Sequence, residues 1–532
     1  MPPTVALSGG GVAGFLLVLA VILPAAGVVL SLAVGRCAER VALVLMPAGI
    51  GIALAIIAEV WRSGTPLVYL IGGWAPPLGI ALRADGLSAI MLVTTALVIC
   101  AVGLFARGGF SENVAGRETR KPLVFWTMLM GVWSALNAVW LGADLFNLYV
   151  ALELLTFSAV PLVCLDGRAE TLAAALRYLL FALVGSVLYL LGVALCYGAY
   201  GTLDIGLLAS RVRPEPVVWI AAALMTAGLL AKTALFPLHL WLPPAHAGAP
   251  AAASAVLSAL VVKGSFILVL RLWFDVLPGL PGAPAAQALG TLGAAAIVFG
   301  SVLALRQARL KLLIAYSTIA QIGYLFLIFP LATGAAAAGI WGSIAWTGGV
   351  YQLVSHAVAK AAMFMAAGLI GEALGHDRIA ELGGIGRALP VTVFAFGLAG
   401  MSLMGLPPSG GFVAKLMLLT ASVTEEQWWW AVVILLGGLL AAGYVFRVLA
   451  PALAATKTLT LQARVSRRRE GAVLALAVCA LLLGLLPLRP SQLLQIGRSA
   501  AWVQAVSVPA AAAVPGVSVP AASVPAASVI VR

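Results

Sequence analysis

Apolar runs about as long as a bilayer is thick recur from near one end of this chain to near the other, and they leave it few possible folds. Backbone inside hydrocarbon must satisfy its own hydrogen bonds, so each run of about 20 residues predicts an α-helix, not a loop or an open strand. Such windows place spans near 11–34, 41–60, 87–106, 122–141, 144–164, 172–199 and 217–236. They continue near 249–273, 286–305, 310–330, 338–370, 391–420, 428–450 and 471–488. The expected fold is therefore an all-α polytopic membrane protein of about fourteen transmembrane helices. Composition agrees: 63% of the 532 residues are hydrophobic and 9% charged, more apolar surface than a soluble core can hide. The first run is too long for a cleaved signal and lacks a basic leader, so it reads as a retained helix.

Charge gives the orientation. Connections after odd-numbered spans carry 17 Lys and Arg, including the run RVSRRRE at 464–470, against 8 on the other side. Cytoplasmic loops hold the excess, which puts both termini outside the cytoplasm of a cell (inner) membrane. Most of the +13 net charge is this topological signal and needs no nucleic acid to explain it. Cys37, Cys100, Cys164, Cys196 and Cys479 are scattered singly, without metal-ligand spacing, so neither an iron–sulfur cluster nor zinc is expected, and no other cofactor. No soluble domain interrupts the spans; the longest polar connections are 107–121, 200–216, 372–389 and 451–470. From about 505 the chain repeats VSVPAA-like units, a composition suited to a flexible tail.

Against this apolar background a few ionisable residues stand out. Glu153 lies inside the fifth span, and Lys232, Lys263, Lys360 and Lys415 lie in others. A charged side chain near mid-membrane costs at least about 2.5–3.5 kcal/mol, so such residues point to an ion or proton pathway. Tyr149 and Thr156 share the helical face of Glu153. Gln352, His356 and Lys360 form one stripe on the eleventh span, and Ser317, Gln321 and Tyr324 another on the tenth. Imidazole titrates closest to neutrality, which makes His356 a candidate relay. Its alternative is a hydrogen bond to a neighbouring helix, and for the lysines the alternative is snorkelling to an interface. Asp144 stands at a membrane edge, where the helix dipole favours an acid, with access to a pathway as its second reading.

Two spans are broken by prolines and glycines beside a lysine. One is AKTALFPLHLWLPPAHAGAP after Lys232, the other MGLPPSGGFVAK before Lys415. Paired breaks in two halves suggest inverted repeats whose unwound segments line a polar cavity, the alternative being kinks that serve only packing. His239 and His246 flank the first break, as gates or as partners for freed carbonyls. His376 reads as an exposed loop residue.

DLFNLYVALELL with Glu153, KTALFPLHLWLPPAH with Lys232, the run APAAASAVLSALVVK ending in Lys263, RLKLLIAYSTIAQIGY with Tyr316, HAVAKAAMF with Lys360, and GLPPSGGFVAK with Lys415 together carry a resemblance. Over roughly 85–450 the chain resembles the antiporter-like, proton-conducting membrane subunits of complex I, membrane-bound hydrogenases and Mrp-type cation/proton antiporters, most of all the D-type Mrp subunit. The resemblance implies two inverted five-helix repeats, each with a broken helix, at 111–275 and 276–450. These would be flanked by N-terminal helices at 1–110 and by a basic loop and last helix at 451–504, ahead of the tail at 505–532. It implies Glu153 paired with Lys232 for coupling, Lys263 as central relay and Lys415 on the exit side. Tyr316, His239, His246 and Asp144 become candidates for gating or access.

The sequence departs from the family at Pro244 and at Arg309, where an acid or amide, and an acid, are common. It also shows no long lateral helix after 488, which argues against the largest subunit type. The leading expectation is a proton-translocating subunit of a multi-subunit antiporter, partnered by other membrane subunits and exchanging H+ for a monovalent cation, Na+ or K+ being the candidates. The alternatives are the membrane arm of an NADH:quinone oxidoreductase or hydrogenase complex, in which this chain would still hold no active site of its own, and a non-conducting scaffold.

Overall fold

The computed structural model describes residues 12–498 apart from 108, 110–112, 115–116, 119, 278–281, 334–339, 455–460 and 487–489. The expected tail at 505–532 lies outside the described residues. The apolar runs become α1 (Val12–Val34), α2 (Ala38–Ser63), α3 (Gly86–Ala106), α4 (Lys121–Leu141), α5 (Leu145–Val163) and α6 (Ala169–Tyr200). A short α7 (Ile205–Arg211) precedes α8 (Pro216–Thr233) and α9 (Leu242–Gly248). Then come α10 (Ala251–Val276), α11 (Ala283–Arg306), α12 (Leu310–Leu331) and α13 (Ile340–Leu374). Last are α14 (Pro390–Met404), α15 (Gly410–Thr424), α16 (Trp428–Leu453), α17 (Arg467–Leu485) and α18 (Pro490–Gln495).

Eleven segments are long and apolar enough to cross a membrane, and the first of them, Ala13–Ser63, contains both α1 and α2. The broken pair α14/α15 and the charged-ended α17 complete the fourteen crossings among the described residues. The helix ends fall within a few residues of the expected spans.

Two sets of five crossings follow one another: α4, α5, α6, α8/α9, α10, then α11, α12, α13, α14/α15, α16. Five is odd, so the second set enters from the opposite side and is inverted relative to the first. In each set the fourth helix is broken. In α8 the break begins at Ala234, held in the left-handed region at φ +59°. In α14 it begins at Gly405, at φ +81°, and Ser409 then caps α15 by accepting from the Phe412 amide at 3.2 Å.

Burial sorts the helices into layers. The apolar window of α10 is buried from end to end, and α12 and α13 are nearly so, whereas α1, α2, α6 and α16 turn much apolar surface outward. The lysines of α10 and α13 are thereby placed at the centre. Close contact is made by small residues: a Cβ on Gly228 of α8 would lie 2.2 Å from the Gly185 carbonyl oxygen of α6. The same packing joins α11 to α12 through Gly293 and Gly323.

Three features were not legible beforehand. A hairpin, β1 (Leu67–Leu70) with β2 (Ala81–Ala84), leads into α3. The connection at 200–216 holds α7, capped by Asp204. Arg271, near the end of the expected 249–273 span, sits inside the last turns of α10, and its partners were not legible. There it donates to both oxygens of Asp85, to Ser88 Oγ at 3.0 Å and to Asp275 at 2.7 Å. Its carboxylate at i+4 and the Asp85 cap of α3 supply the countercharge that lets a guanidinium be buried. Burial pushes the Asp85 carboxyl up, but the Arg271 guanidinium overrides it and holds the group at about 2. Being depressed, Asp85 stabilises the fold fully above its ordinary value near 3.8, and that contribution is lost as pH falls to about 2. Asp85→Ala is expected to cost about 3–5 kcal/mol in detergent unfolding. The variant should also lack the part of the wild-type decline between pH 4 and 2 that protonation of Asp85 causes. An unchanged midpoint would show the cluster to be unimportant.

Candidate functional site

The first cluster joins α5, α6 and α8. Lys232 Nζ donates to Glu153 Oε1 at 2.9 Å and to Thr156 Oγ1 at 3.3 Å, and Ser186 Oγ donates to the same carboxylate oxygen. The Gly185–Gly228 contact brings α6 and α8 close enough for this arrangement. Glu153 keeps 15% of its side chain accessible, so it is less enclosed than its place in an apolar run implies, while Lys232 keeps 7%. Thr156 joins the pair as its spacing predicts. Tyr149 does not; its ring packs on Phe146 instead. At the break the Ala231 carbonyl, which also accepts from the Ala234 amide at 3.3 Å, accepts from Trp241 Nε1 at 3.0 Å, and Trp241 stacks on Tyr178. A small cavity bounded by Thr156, Tyr178, Lys232, Val261 and Ser265 leads from the ion pair to α10.

The second cluster is central. Lys263 is fully buried and donates to the carbonyl of Ser258. Ser258 lies in a π-helical turn, Leu257–Val261, whose wider winding brings a residue five positions back within reach. Ser258 Oγ is 2.9 Å from Thr318 Oγ1 on α12, which donates to the Ile314 carbonyl at 2.9 Å. The same carbonyl accepts from Lys360 Nζ of α13 at 3.0 Å, and Lys360 also donates to Ser317 Oγ at 2.5 Å. Snorkelling is excluded for both lysines, since neither exposes any surface.

The third cluster surrounds the second break. Gln352 donates to Gln321 Oε1 at 2.9 Å, and Gln321 donates to Tyr444 Oη at 3.1 Å and to the Leu403 carbonyl at 3.2 Å. Lys415 Nζ donates to that same carbonyl at 2.5 Å and lies 4.4 Å from the centre of the Tyr324 ring. The two stripes expected on the tenth and eleventh spans thus face each other. His356, one turn from both Gln352 and Lys360, is buried with neither ring nitrogen bonded among the described residues. His246 is likewise unbonded and stacks on Phe364 of α13.

Other expected residues go elsewhere. Asp144 caps α5, accepting from the amides of Phe146 and Asn147 at 2.9 and 3.0 Å. His239 and Tyr316 line a separate side pocket. His376, expected as exposed, is only part exposed and pairs with Glu381 at 3.1 Å. It borders a charged vestibule with Arg309, Lys311, Glu372, Asp377 and Arg469. Arg309 pairs there with Asp377 at 2.9 Å, so an acid from the next loop stands beside the base. Ser258 and Thr318 escaped sequence reasoning because hydroxyls in apolar runs are common and only the folded chain brings these two together.

A polytopic helical membrane protein with paired broken helices and lysines buried along its core is the class these features define. Residues 142–441 match the model of the NADH:quinone oxidoreductase/Mrp antiporter transmembrane family, and the chain belongs to that family. It is 34% identical to the N subunit of the NADH-quinone oxidoreductase of Desulforudis audaxviator (strain MP104C), over 74% of this chain and 76% of that one. It is 29% identical to the D subunit of the Na(+)/H(+) antiporter of Alkalihalophilus pseudofirmus, over 69% and 72%. Its fold matches a chain of the membrane-bound sulfane sulfur reductase, an archaeal respiratory membrane complex, with a TM-score of 0.80. That match covers 90% of this chain and 96% of the other at 27% identity.

Among the described residues Lys263, Lys360 and Lys415 have carbonyl and hydroxyl acceptors but no carboxylate partner. Such groups are costly to bury, and an apolar replacement of like volume removes the cost. Lys263→Met is therefore expected to leave the thermal midpoint unchanged or raised. A loss above about 2 kcal/mol would instead mark Lys263 as a structural tie.

Proposed function

We propose that this chain is the proton-translocating membrane subunit of a multi-subunit monovalent cation/proton antiporter, the counterpart of the D-type subunit in Mrp assemblies. One observation carries the reading: four lysines on α8, α10, α13 and α15 lie in the buried core, with polar links joining Lys263 to Lys360 and Lys415 to a glutamine pair. Ser258, Thr318 and the Ile314 carbonyl join Lys263 to Lys360. The glutamine pair and the Leu403 carbonyl lead on to Lys415.

In this proposal Glu153 and Lys232 form the coupling end. While Glu153 is close, the Lys232 ammonium is favoured; when it withdraws, the lysine gives up its proton across the small cavity toward Lys263. Lys263 and Lys360 exchange protons through the Ser258–Thr318 hydroxyls and internal water. His356, buried with no hydrogen-bond partner among the described residues, bridges Lys360 and the glutamine pair, and Lys415 delivers the proton on the exit side. His246, stacked beside α13, and the charged vestibule supply access from the side of the odd-numbered connections, which the basic excess makes cytoplasmic. Both termini are then extracytoplasmic, in the cell's inner membrane. Two five-helix sets of opposite orientation suit such a path, since each can open to a different compartment.

A second reading, proton pumping in the membrane arm of a redox complex, is favoured by the 34% identity to a quinone oxidoreductase subunit. Co-purification separates the two: antiporter subunits support the first reading, and iron–sulfur or flavin subunits the second. Lys263→Ala in the assembled complex is expected to lower proton flux into vesicles at least about tenfold. Unchanged flux would reduce the chain to a scaffold.

A further inference from the structure

Arg177 projects from the outward apolar strip of α6, among Leu176 and Leu180, and has no ion pair or hydrogen bond among the described residues. Beside it is a pocket between α6, the first break and α12, whose polar edge is Arg177, Tyr316 and His239. The Tyr316 hydroxyl has no protein partner among the described residues, and His239, only 4% exposed, leaves its Nδ1 buried and unbonded. Phe181, Leu240, Pro243 and Pro244 form the apolar edge, with Leu240 largely exposed. Two uncommitted hydrogen-bonding groups, the Arg177 guanidinium and the Tyr316 hydroxyl, thus converge beside His239 where the surface is otherwise apolar.

Depth identifies the setting. Arg177 lies eight residues past the start of α6, ~12 Å along it, and Tyr316 six residues past the start of α12, ~9 Å along. Both helices begin on the side of the odd-numbered connections. α6, with 32 residues, is ~48 Å long against a hydrocarbon core of ~30 Å. Its start overhangs by roughly 9 Å if centred, so Arg177 lies within a few ångströms of the headgroup boundary. The exposed strip Leu176, Leu180, Val184 and Val187 runs from the pocket toward mid-membrane, as an acyl chain does.

We propose that this pocket binds the phosphate of an anionic phospholipid from the adjoining leaflet. Arg177 takes the phosphate oxygens, Tyr316 donates to them, His239 contacts the headgroup edge, and the acyl chains lie along α6. A zwitterionic lipid is disfavoured because its own cation competes with Arg177 for the phosphate.

Native mass spectrometry of the assembled complex, delipidated in mild detergent and titrated with phosphatidylglycerol, phosphatidylcholine or oleate, tests this. Phosphatidylglycerol is expected to bind in preference to both others, Arg177→Gln to weaken it roughly tenfold, and Tyr316→Phe less. Arg213→Gln, in a connection on the other side, should leave binding unchanged, and equal assembly yields show that the variants fold. Equal binding of phosphatidylcholine, stronger binding of oleate, or indifference to Arg177→Gln would overturn the proposal. So would a cross-link from Arg177→Cys to a neighbouring subunit that excludes lipid.

Discussion

A buried lysine needs acceptors, and this core supplies few carboxylates with which to satisfy one. The structure answers with backbone carbonyls that the α-helical ladder has released or left reachable. Lys415 takes the carbonyl of Leu403 beside the second break, and Lys263 takes that of Ser258 in a π-helical turn. Lys360 takes that of Ile314 together with a serine hydroxyl. Carbonyl dipoles partly offset the loss of water without fixing the charge permanently, as a buried carboxylate would. The second break and the wide turn are therefore part of the site's chemistry for Lys415 and Lys263, whereas Lys360 shares a carbonyl within a regular helix.

Among the described residues, the one buried lysine of the chain that pairs with a carboxylate, Lys232 with Glu153, is placed at the flank, not the centre. Glu153 is less enclosed than the lysines, and its carboxylate is shared by Lys232 and Ser186 across three helices. Small shifts of α5 against α6 and α8 alter that pair most directly. Gly185 and Gly228, which allow the backbones to touch, make its geometry depend on helix packing. The other strong ionic cluster, Asp85 with Arg271 and Asp275, is fully paired and holds α3 to the end of α10. It has the character of a fastening, which separates it in kind from the lysine chain.

Much of this was readable in the chain. Helix number and position follow from run length, because the bilayer leaves backbone no other choice. The breaks announced themselves through Pro237, Pro243 and Pro244, and through Pro407, Pro408, Gly410 and Gly411. The stripe of Gln352, His356 and Lys360 is helical arithmetic. Harder to see were residues whose meaning depends on a neighbour. The partner of Arg271 was hidden until Asp85 arrived from 186 positions away. Arg177 drew no reading from the sequence and takes its meaning from the pocket beside it.

Sequence by itself determined the membrane class, the fourteen spans, the two breaks and the four lysines sunk in apolar runs, because each is a local property of composition or period. Tertiary structure alone decided which stripes face one another and which carbonyl Lys360 uses. Those outcomes rest on contacts between helices distant along the chain, and no local pattern encodes the choice of partner.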